Sequence, residues 1–416
     1  MQEELFTQAL GLTSPWAVES IDFQPEARRI DFTVACDQNQ LSCPSCQAQD
    51  QPIHDRKAKS WRHLDFFQYE AYIHARVPRV RCSHCGKTTQ VSVPWARPGS
   101  RFTLLFEALS LTLAKVMPVR NCARQLRVND KSLWRVIDHH VHRARHREDY
   151  SQVRHIGVDE TACRRGQHYI TLVHDLQQRR LVFATAGRDS ATLKRFSDDL
   201  QAHQGHPNRI TQASIDMSKA YVAGIDRHLA NAHITFDRFH VIQLANKAVD
   251  EVRRAEVKYE AVLKKTRWGW LKDNARWSRK QAERVYDLTR SNLKTARAWR
   301  LKEALRGIFR EATTRQEAEW RLSRWYSWAR RCRLEPMKKL ALTLKAHWQG
   351  VLQGFSSHLN NGYVEAMNSL IQAAKARARG YGSIRHFIAI CYLLAGKLRH
   401  LPASPFQPSA PGAISG

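Results

Sequence analysis

No apolar run in this 416-residue chain approaches the roughly 18 residues that a membrane-spanning helix needs. The opening Met-Gln-Glu-Glu-Leu-Phe lacks the charged and then apolar stretch of a secretory signal, so a soluble, intracellular chain is expected. No GxxxxGK(S/T) loop and no GxGxxG turn occurs, which removes ATP and dinucleotides as implied ligands. Acidic residues are in short supply: 38 Asp and Glu face 67 Lys and Arg, a net charge of +29. Such an excess repels itself unless a polyanion neutralises it, and nucleic acid becomes the leading partner. Charge alone does not separate DNA from RNA or from an anionic membrane surface. Cysteine is sparse and odd in number, nine in all, which argues against a disulfide framework and for metal ligands plus buried thiols. The length exceeds the roughly 100–200 residues of one domain, so two or three are expected.

Four of the nine cysteines form two pairs, Cys43-Pro-Ser-Cys46 and Cys82-Ser-His-Cys85. Each CxxC wraps two thiolates around one cation, and two such knuckles complete a tetrahedral structural zinc site. Gly86 suits the tight turn after the second pair. The residues between the pairs suggest short strands, hence a zinc ribbon. His54, His63, His74 and His84 stand close enough in sequence to replace a ligand, though no spacing demands it. Cys36, Cys122, Cys163, Cys332 and Cys391 stand alone and suit small core positions.

Residues 101–143 hold an apolar helix from Phe102 to Val116, a short helix over Val119 to Leu126, a turn at Val128-Asn129-Asp130, and a helix from Lys131 to Val141. Two helices across a short turn match a helix-turn-helix, whose second helix enters the major groove. Arg124, Arg127, Lys131 and Arg135 would then face phosphates or bases. An ordinary helical hairpin inside a larger core is the other reading.

From His155 the pattern becomes β-rich: Ile156 to Asp159, His168 to His174 and Arg180 to Thr185 are strands. A helix capped by Ser190 follows, then a strand from Ile210 to Asp216, a helix from Lys219 to Leu229, and a strand from His233 to Phe236. Three antiparallel strands, a helix, then strand-helix-strand is the order of an RNase H-like fold. Asp159 near the end of the first strand and Asp216 at the end of the fourth would converge there. Paired hard oxygen ligands suit Mg²⁺ and phosphoryl transfer, although each Asp taken alone also fits a strand-end turn. The neighbour Glu160 turns to the opposite face.

Between Asn246 and Phe355 there are 28 Lys/Arg against 12 Asp/Glu, so this stretch carries +16 of the net charge. It holds eight of the twelve tryptophans and one proline, Pro336, which favours amphipathic helices with a DNA-facing side. For any single Trp, core packing is the preferred reading. Beyond it, Asn360-Asn361-Gly362 offers caps for a helix with Glu365, Asn368, Gln372 and Lys375 on one face. Met367, Leu370, Ile371 and Ala374 on the other face would pack on the sheet. Lys375, Arg377 and Arg379 would grip the DNA backbone.

Taken together these motifs resemble the DDE-type transposases of bacterial insertion sequences, most closely the ISL-three family, over roughly residues 40 to 400. The likeness rests on the CxxC…CxxC ribbon and helix-turn-helix, on Ile156-Gly-Val-Asp159-Glu, on Ser214-Ile-Asp216-Met-Ser-Lys-Ala-Tyr and on Asp237-Arg-Phe-His240-Val. It rests also on Asn361-Gly-Tyr-Val-Glu365-Ala-Met-Asn368 and on Arg379-Gly-Tyr381-Gly-Ser-Ile-Arg-His-Phe. Ser369-Leu370 and Gly382-Ser383 depart from the family's more polar or basic choices and touch DNA specificity rather than the triad.

The resemblance implies a multidomain α+β chain. A zinc-ribbon domain would span 1–99 and a helix-turn-helix 100–148. An RNase H-like core over 149–245 and 356–400 would be interrupted by a helical insertion at 246–355, with a flexible tail at 401–416. It implies Asp159, Asp216 and Glu365 as the catalytic triad holding two Mg²⁺, with Mn²⁺ able to substitute, supported by Asp237, His240 and Asn368. The implied activity is binding of terminal inverted repeats in double-stranded DNA, metal-dependent strand cleavage, and transfer of the freed 3′-OH to target DNA. It needs no ATP and no membrane, and it implies a homodimer or higher synaptic assembly in a bacterial cytoplasm, at the nucleoid. The rival is a catalytically silent, transposase-derived DNA-binding regulator. An RNA-directed nuclease is disfavoured because the reader motif is of duplex-DNA type.

Overall fold

The computed structural model describes residues 1–163, 168–357 and 362–406. They form two compact units, one of Met1–Ala144 with the chain from His400 onward, the other of Arg145–Arg399. Among the described residues no helix is long and apolar enough to cross a membrane.

In the first unit, apolar and polar residues alternate over 29–34 and 70–77 and build a half-buried sheet. The strands are β1 (Trp16–Gln24), β2 (Arg29–Cys36), β3 (Gln40–Leu41), β4 (Gln51–Arg62), β5 (Glu70–Arg81) and β6 (Thr88–Gln90). Their order is β1-β2-β5-β4-β3, with β6 added to β5. Ile30, Phe32 and Val34 of β2 and Ala71, Ile73, Ala75 and Val77 of β5 point into one core with Trp16, Trp61 and Trp95. The ribbon's strands are therefore not short. β4 and β5 each run 12 residues; β5 carries an alternating buried face into this core, whereas β4 is largely exposed and joins it through Trp61.

Helix Leu104–Val116 follows, capped by Thr103, whose hydroxyl accepts the Phe106 N–H at 3.3 Å. Phe102 thus stands outside the helix expected to begin with it. Helices Val119–Gln125 and Asp130–His146 complete the pair.

The second unit carries a five-stranded sheet. It comprises β7 (His155–Ala162), β8 (Tyr169–Asp175), β9 (Arg180–Ala186), β10 (Gln212–Ile215) and β11 (His233–Phe236), in the order β11-β10-β7-β8-β9. β7, β8 and β9 pair antiparallel, whereas β10 lies parallel to both β7 and β11. This is the RNase H-like strand order. Helix Ser190–Ala202 is capped by Asp189 rather than Ser190, since the Asp189 carboxylate accepts the Thr192 N–H at 3.1 Å. Asp159 sits in the middle of β7, not near its end, because β7 runs on to Ala162.

Helix Arg238–Glu256 leads from β11 into a helical region that includes Lys294–Glu311, Arg315–Arg331, Glu335–Ala346 and Trp348–Ser357. Trp270 and Trp325 are fully buried, and Trp277, Trp299 and Trp348 pack against the same core. Trp325 donates its indole N–H to the Leu301 carbonyl at 2.8 Å, and Trp270 to the Thr266 hydroxyl at 2.9 Å. Most of the tryptophans are thus core. Gly350 lets helix Trp348–Ser357 seat on β11, where a Cβ would lie 2.4 Å from the Phe236 ring. The last two helices are Gly362–Arg377 and Ile384–Ala395. The capping pair Asn360-Asn361 lies outside the described residues.

Candidate functional site

The two knuckles are preassembled by local turns. Cys43 N–H donates to the Ala48 carbonyl at 2.8 Å and Cys82 N–H to the Lys87 carbonyl at 3.0 Å. Gln47 and Gly86 adopt φ of 61° and 70° to close the loops. The four sulfurs lie within 4.8 Å of one another, with Cys43 Sγ to Cys85 Sγ at 3.8 Å and Cys46 Sγ to Cys82 Sγ at 3.5 Å. Tetrahedral Zn–S bonds of about 2.3 Å require S–S edges of about 3.8 Å, so the quartet fits a structural zinc ion. The backbone N–H groups of Cys46 and Ser45 pull the Cys43 thiol down to about 6, into the range where a ligand thiolate is ready-made. None of the four histidines joins the quartet. His74, for one, bridges the Ser60 hydroxyl and the Asp31 carboxylate instead.

In the reader helices, Leu133, Val136, Ile137 and Val141 face the core, and Arg124, Lys131 and Arg135 are exposed. The Asn129 side chain accepts the Lys131 N–H at 2.8 Å at the start of the second helix. Arg127 has a different job from the one expected. It takes φ of 54° just past the first helix, and its guanidinium binds Glu70 at 2.7 Å and Asp65 at 2.5 Å. Those two carboxylates flank the β4–β5 connection, so Arg127 ties the turn to the sheet. A second tie has no signal in residue type or spacing: buried Glu107 accepts from Arg97 at 2.9 Å and Ser100 at 2.6 Å and meets His140 Nε2 at 2.6 Å.

The carboxylates are placed by three elements. β10 pairs with β7 up to Ser214↔Gly157, and Asp216, the residue after β10, is close enough for its charge to act on Asp159. Asp159 Oδ1 accepts the Glu160 N–H at 2.7 Å, and its other oxygen accepts the Asn368 amide. Asn368 belongs to helix Gly362–Arg377, which is fastened along β7 by two further contacts. Gln372 binds Thr161, and Lys375 Nζ donates to the Ala162 carbonyl at 2.5 Å. Lys375 is thus occupied by the protein's own backbone, whereas Arg377 and Arg379 are exposed beyond it. Ile371 and Ala374 are buried as expected, but Leu370 is exposed and Val364 takes its place in the packing. Gly157 permits the docking, because a Cβ there would meet Val364 Cγ2 and Leu176 Cδ2 at 2.9 Å.

Glu365 rides on this helix. Burial, with Asp237 and Asp159 repelling it, pushes its carboxyl above the usual range. Burial also lifts Asp159 to about 6, with Asp216 and Asp237 adding repulsion and His240 opposing it. Asp237 caps helix Arg238–Glu256, accepting the Phe239 N–H at 3.0 Å, and His240 follows one turn on. Asp216 Oδ1 accepts the Ser218 N–H at 3.0 Å. Glu160 lies on the other side but still senses Asp216 and meets Arg188 at 3.6 Å. Among the described residues the cysteine quartet is the one group of ligand atoms within 4.8 Å; the carboxylates face one another at longer range. A half-buried cluster of repelling carboxylates, hydrogen-bonded from behind, suits hard divalent cations that also take oxygen from a substrate.

Fold and site define a class: a zinc-ribbon, helix-turn-helix DNA-binding protein with an RNase H-like core. The family model described as a transposase matches residues 156–391. The helix-turn-helix domain of transposase family ISL3 matches 91–141, and the zinc finger of transposases IS204, IS1001, IS1096 and IS1165 matches 40–85. The chain belongs to the ISL3 family of insertion-sequence transposases, which are DNA-transposing enzymes. It is 28% identical to the transposase for insertion sequence element IS1557 of Mycobacterium tuberculosis, over 98% of both chains. It is 26% identical to the transposase for insertion sequence element IS1001 of Bordetella parapertussis, over 93% of this chain and 97% of that one.

Proposed function

We propose that the chain binds the terminal inverted repeats of its own insertion sequence and catalyses strand cleavage and strand transfer by DDE chemistry. Asp159, Asp216 and Glu365 are the ligands of two Mg²⁺ ions, with Mn²⁺ able to replace them. The observation that carries this reading is the docking of helix Gly362–Arg377 on β7 through Asn368; the same helix bears Glu365, whose carboxyl feels Asp237 and Asp159. When bound, the cations supply the acidity that turns water into a nucleophile and the charge that stabilises the departing 3′ oxygen. The chain's own residues do the rest. Asn368 and the Glu160 N–H fix the Asp159 oxygens, and Asp237 holds the turn that presents His240. His240 faces this cluster and opposes the repulsion that Asp216 and Asp237 exert on Asp159. The freed 3′-OH, held in the same site, is then the nucleophile towards target DNA. Two ends must be cut and joined together, so a homodimer or larger synaptic assembly acts, on DNA in the bacterial cytoplasm.

The test is cleavage of duplex DNA carrying the element's own ends with Mg²⁺, with Asp216→Ala as control. Specific binding without cleavage by the native chain would instead identify a silent DNA-binding regulator.

A further inference from the structure

Helix Arg315–Arg331 buries Ala318, Leu322, Trp325 and Ala329 and turns a second stripe outward: Trp320, Arg324 and Trp328, spaced i, i+4, i+8. Large aromatics are rarely left out of a core that has room for them, yet Trp320 is 59% and Trp328 45% exposed. The Arg324 guanidinium lies over the Trp320 ring at 4.8 Å and makes no ion pair among the described residues. With Arg310 and Arg321 these side chains line a groove of about 570 Å³, in which Glu303 and Glu311 are the acidic members.

The groove does not stand alone. Arg310 also lines a second cleft of about 940 Å³, together with Arg238, Phe239, Arg306 and Glu365. Helix Lys294–Glu311 thus forms a shared wall between the tryptophan groove and the cleft at the carboxylates.

We propose that the Trp320–Arg324–Trp328 groove binds single-stranded DNA, as the continuation of the cleft at Glu365. Alternating aromatic faces and guanidinium groups are what an unpaired strand requires: bases stack on the rings and phosphates pair with the arginines. The stripe spans about 12 Å of helix, enough for more than one nucleotide. A duplex hides its base faces and could use only the charges. The strand that occupies the groove is the one freed by cleavage, and in this respect the inference rests on Glu365 belonging to the active site.

The test uses the full-length chain with no divalent cation added, so that no cleavage intervenes. Fluorescence anisotropy is measured with a labelled oligo-dT and with a random duplex of equal length. Trp320→Ala and Trp328→Ala should each weaken oligo-dT binding roughly tenfold and duplex binding by less than about twofold. Trp320→Phe should restore most of the loss, because a ring is kept. Arg310→Ala should also weaken oligo-dT binding. Equal losses on both probes, no loss on either, or failure of the native chain to bind oligo-dT would overturn the proposal. An Arg310→Ala protein with unchanged oligo-dT affinity would overturn the continuity with the cleft. The carboxylate reading is tested apart from this, by Mg²⁺-dependent cleavage of the element's ends with Glu365→Gln. If that variant still cleaves DNA, the carboxylate reading fails while the single-strand result stands or falls on its own data.

Discussion

The thiolate and carboxylate sites solve opposite problems. The cysteine quartet is built by two local turns, each fixing two sulfurs through main-chain hydrogen bonds, and its ligand atoms already lie within 4.8 Å of one another. The carboxylates come from the middle of one strand, the residue after another, and a helix that follows about a hundred residues of insertion. Nothing local brings them together. Their approach depends on one helix docking through Asn368, Gln372 and Lys375, and their mutual repulsion keeps them open. A closed soft-ligand site holds its metal for structure, and an open hard-ligand site keeps coordination positions for substrate.

The sharpest break of this comparison is removal of one ligand from each site. Glu365→Gln or Asp216→Asn should lower strand cleavage by about 10³-fold or more, since metal stabilisation contributes several kcal/mol and each 1.4 kcal/mol is tenfold. Binding of the DNA ends should persist. A variant that cuts at near-native rate would remove that residue from the site. Cys43→Ser should abolish zinc binding, seen by metal analysis, and lower the melting temperature of the first unit while the core melts unchanged. Loss of fold throughout the chain would contradict the independence of the two sites.

The two sites also differ in how acid acts on them. Burial raises the Asp159 carboxyl to about 6, above its unfolded value, so the native protein takes up a proton as pH falls through 6. For a raised carboxyl the sign is clear: the metal-free protein is relieved of a repulsion by that proton, and its stability rises or holds between about pH 7 and pH 5. A cation held by Asp159, as proposed, would compete with the same proton. The melting-temperature gain on adding Mg²⁺ should be full near pH 8 and fall about tenfold in apparent affinity per pH unit below 6. A gain independent of pH would show that Asp159 does not ligate the ion.

Much of this contrast was legible in the chain. Paired CxxC spacing is a local signal and named the zinc ligands directly. Strand order could be followed through alternating and apolar runs, which placed Asp159 and Asp216 on neighbouring strands. What escaped was tertiary. Asp159 reads as a strand-end residue because nothing in Glu160-Thr-Ala shows that β7 continues beneath a docked helix. Leu370 was assigned to the buried face, whereas Val364 packs at Gly157, a contact set by the missing Cβ of a residue far away in sequence. The 12-residue length of β4 and β5 is hidden because the metal knuckles invite a small ribbon and β4 is largely polar and exposed. Lys375 and Arg127 are charges already tied to a backbone carbonyl or to carboxylates, and net charge cannot distinguish such a tie from a DNA contact.

That last distinction yields the smallest expected effect. Arg124 and Arg135 are exposed on the reader helices, so Arg124→Ala or Arg135→Ala should weaken binding to the element's ends by about 1–3 kcal/mol wherever a base edge is read. Random duplex should be bound with much less change. Arg127 pairs with Asp65 and Glu70 while its side chain remains 43% exposed, so water screens most of the attraction. Arg127→Ala should therefore cost the first unit under about 1 kcal/mol of stability and weaken specific and random DNA alike, through a looser turn. Paired titrations of the three variants on specific and random duplex, with a melt of each, separate the two roles. A selective loss of end recognition in Arg127→Ala, with stability unchanged, would make Arg127 a reader after all and the Asp65–Glu70 pairing a resting position.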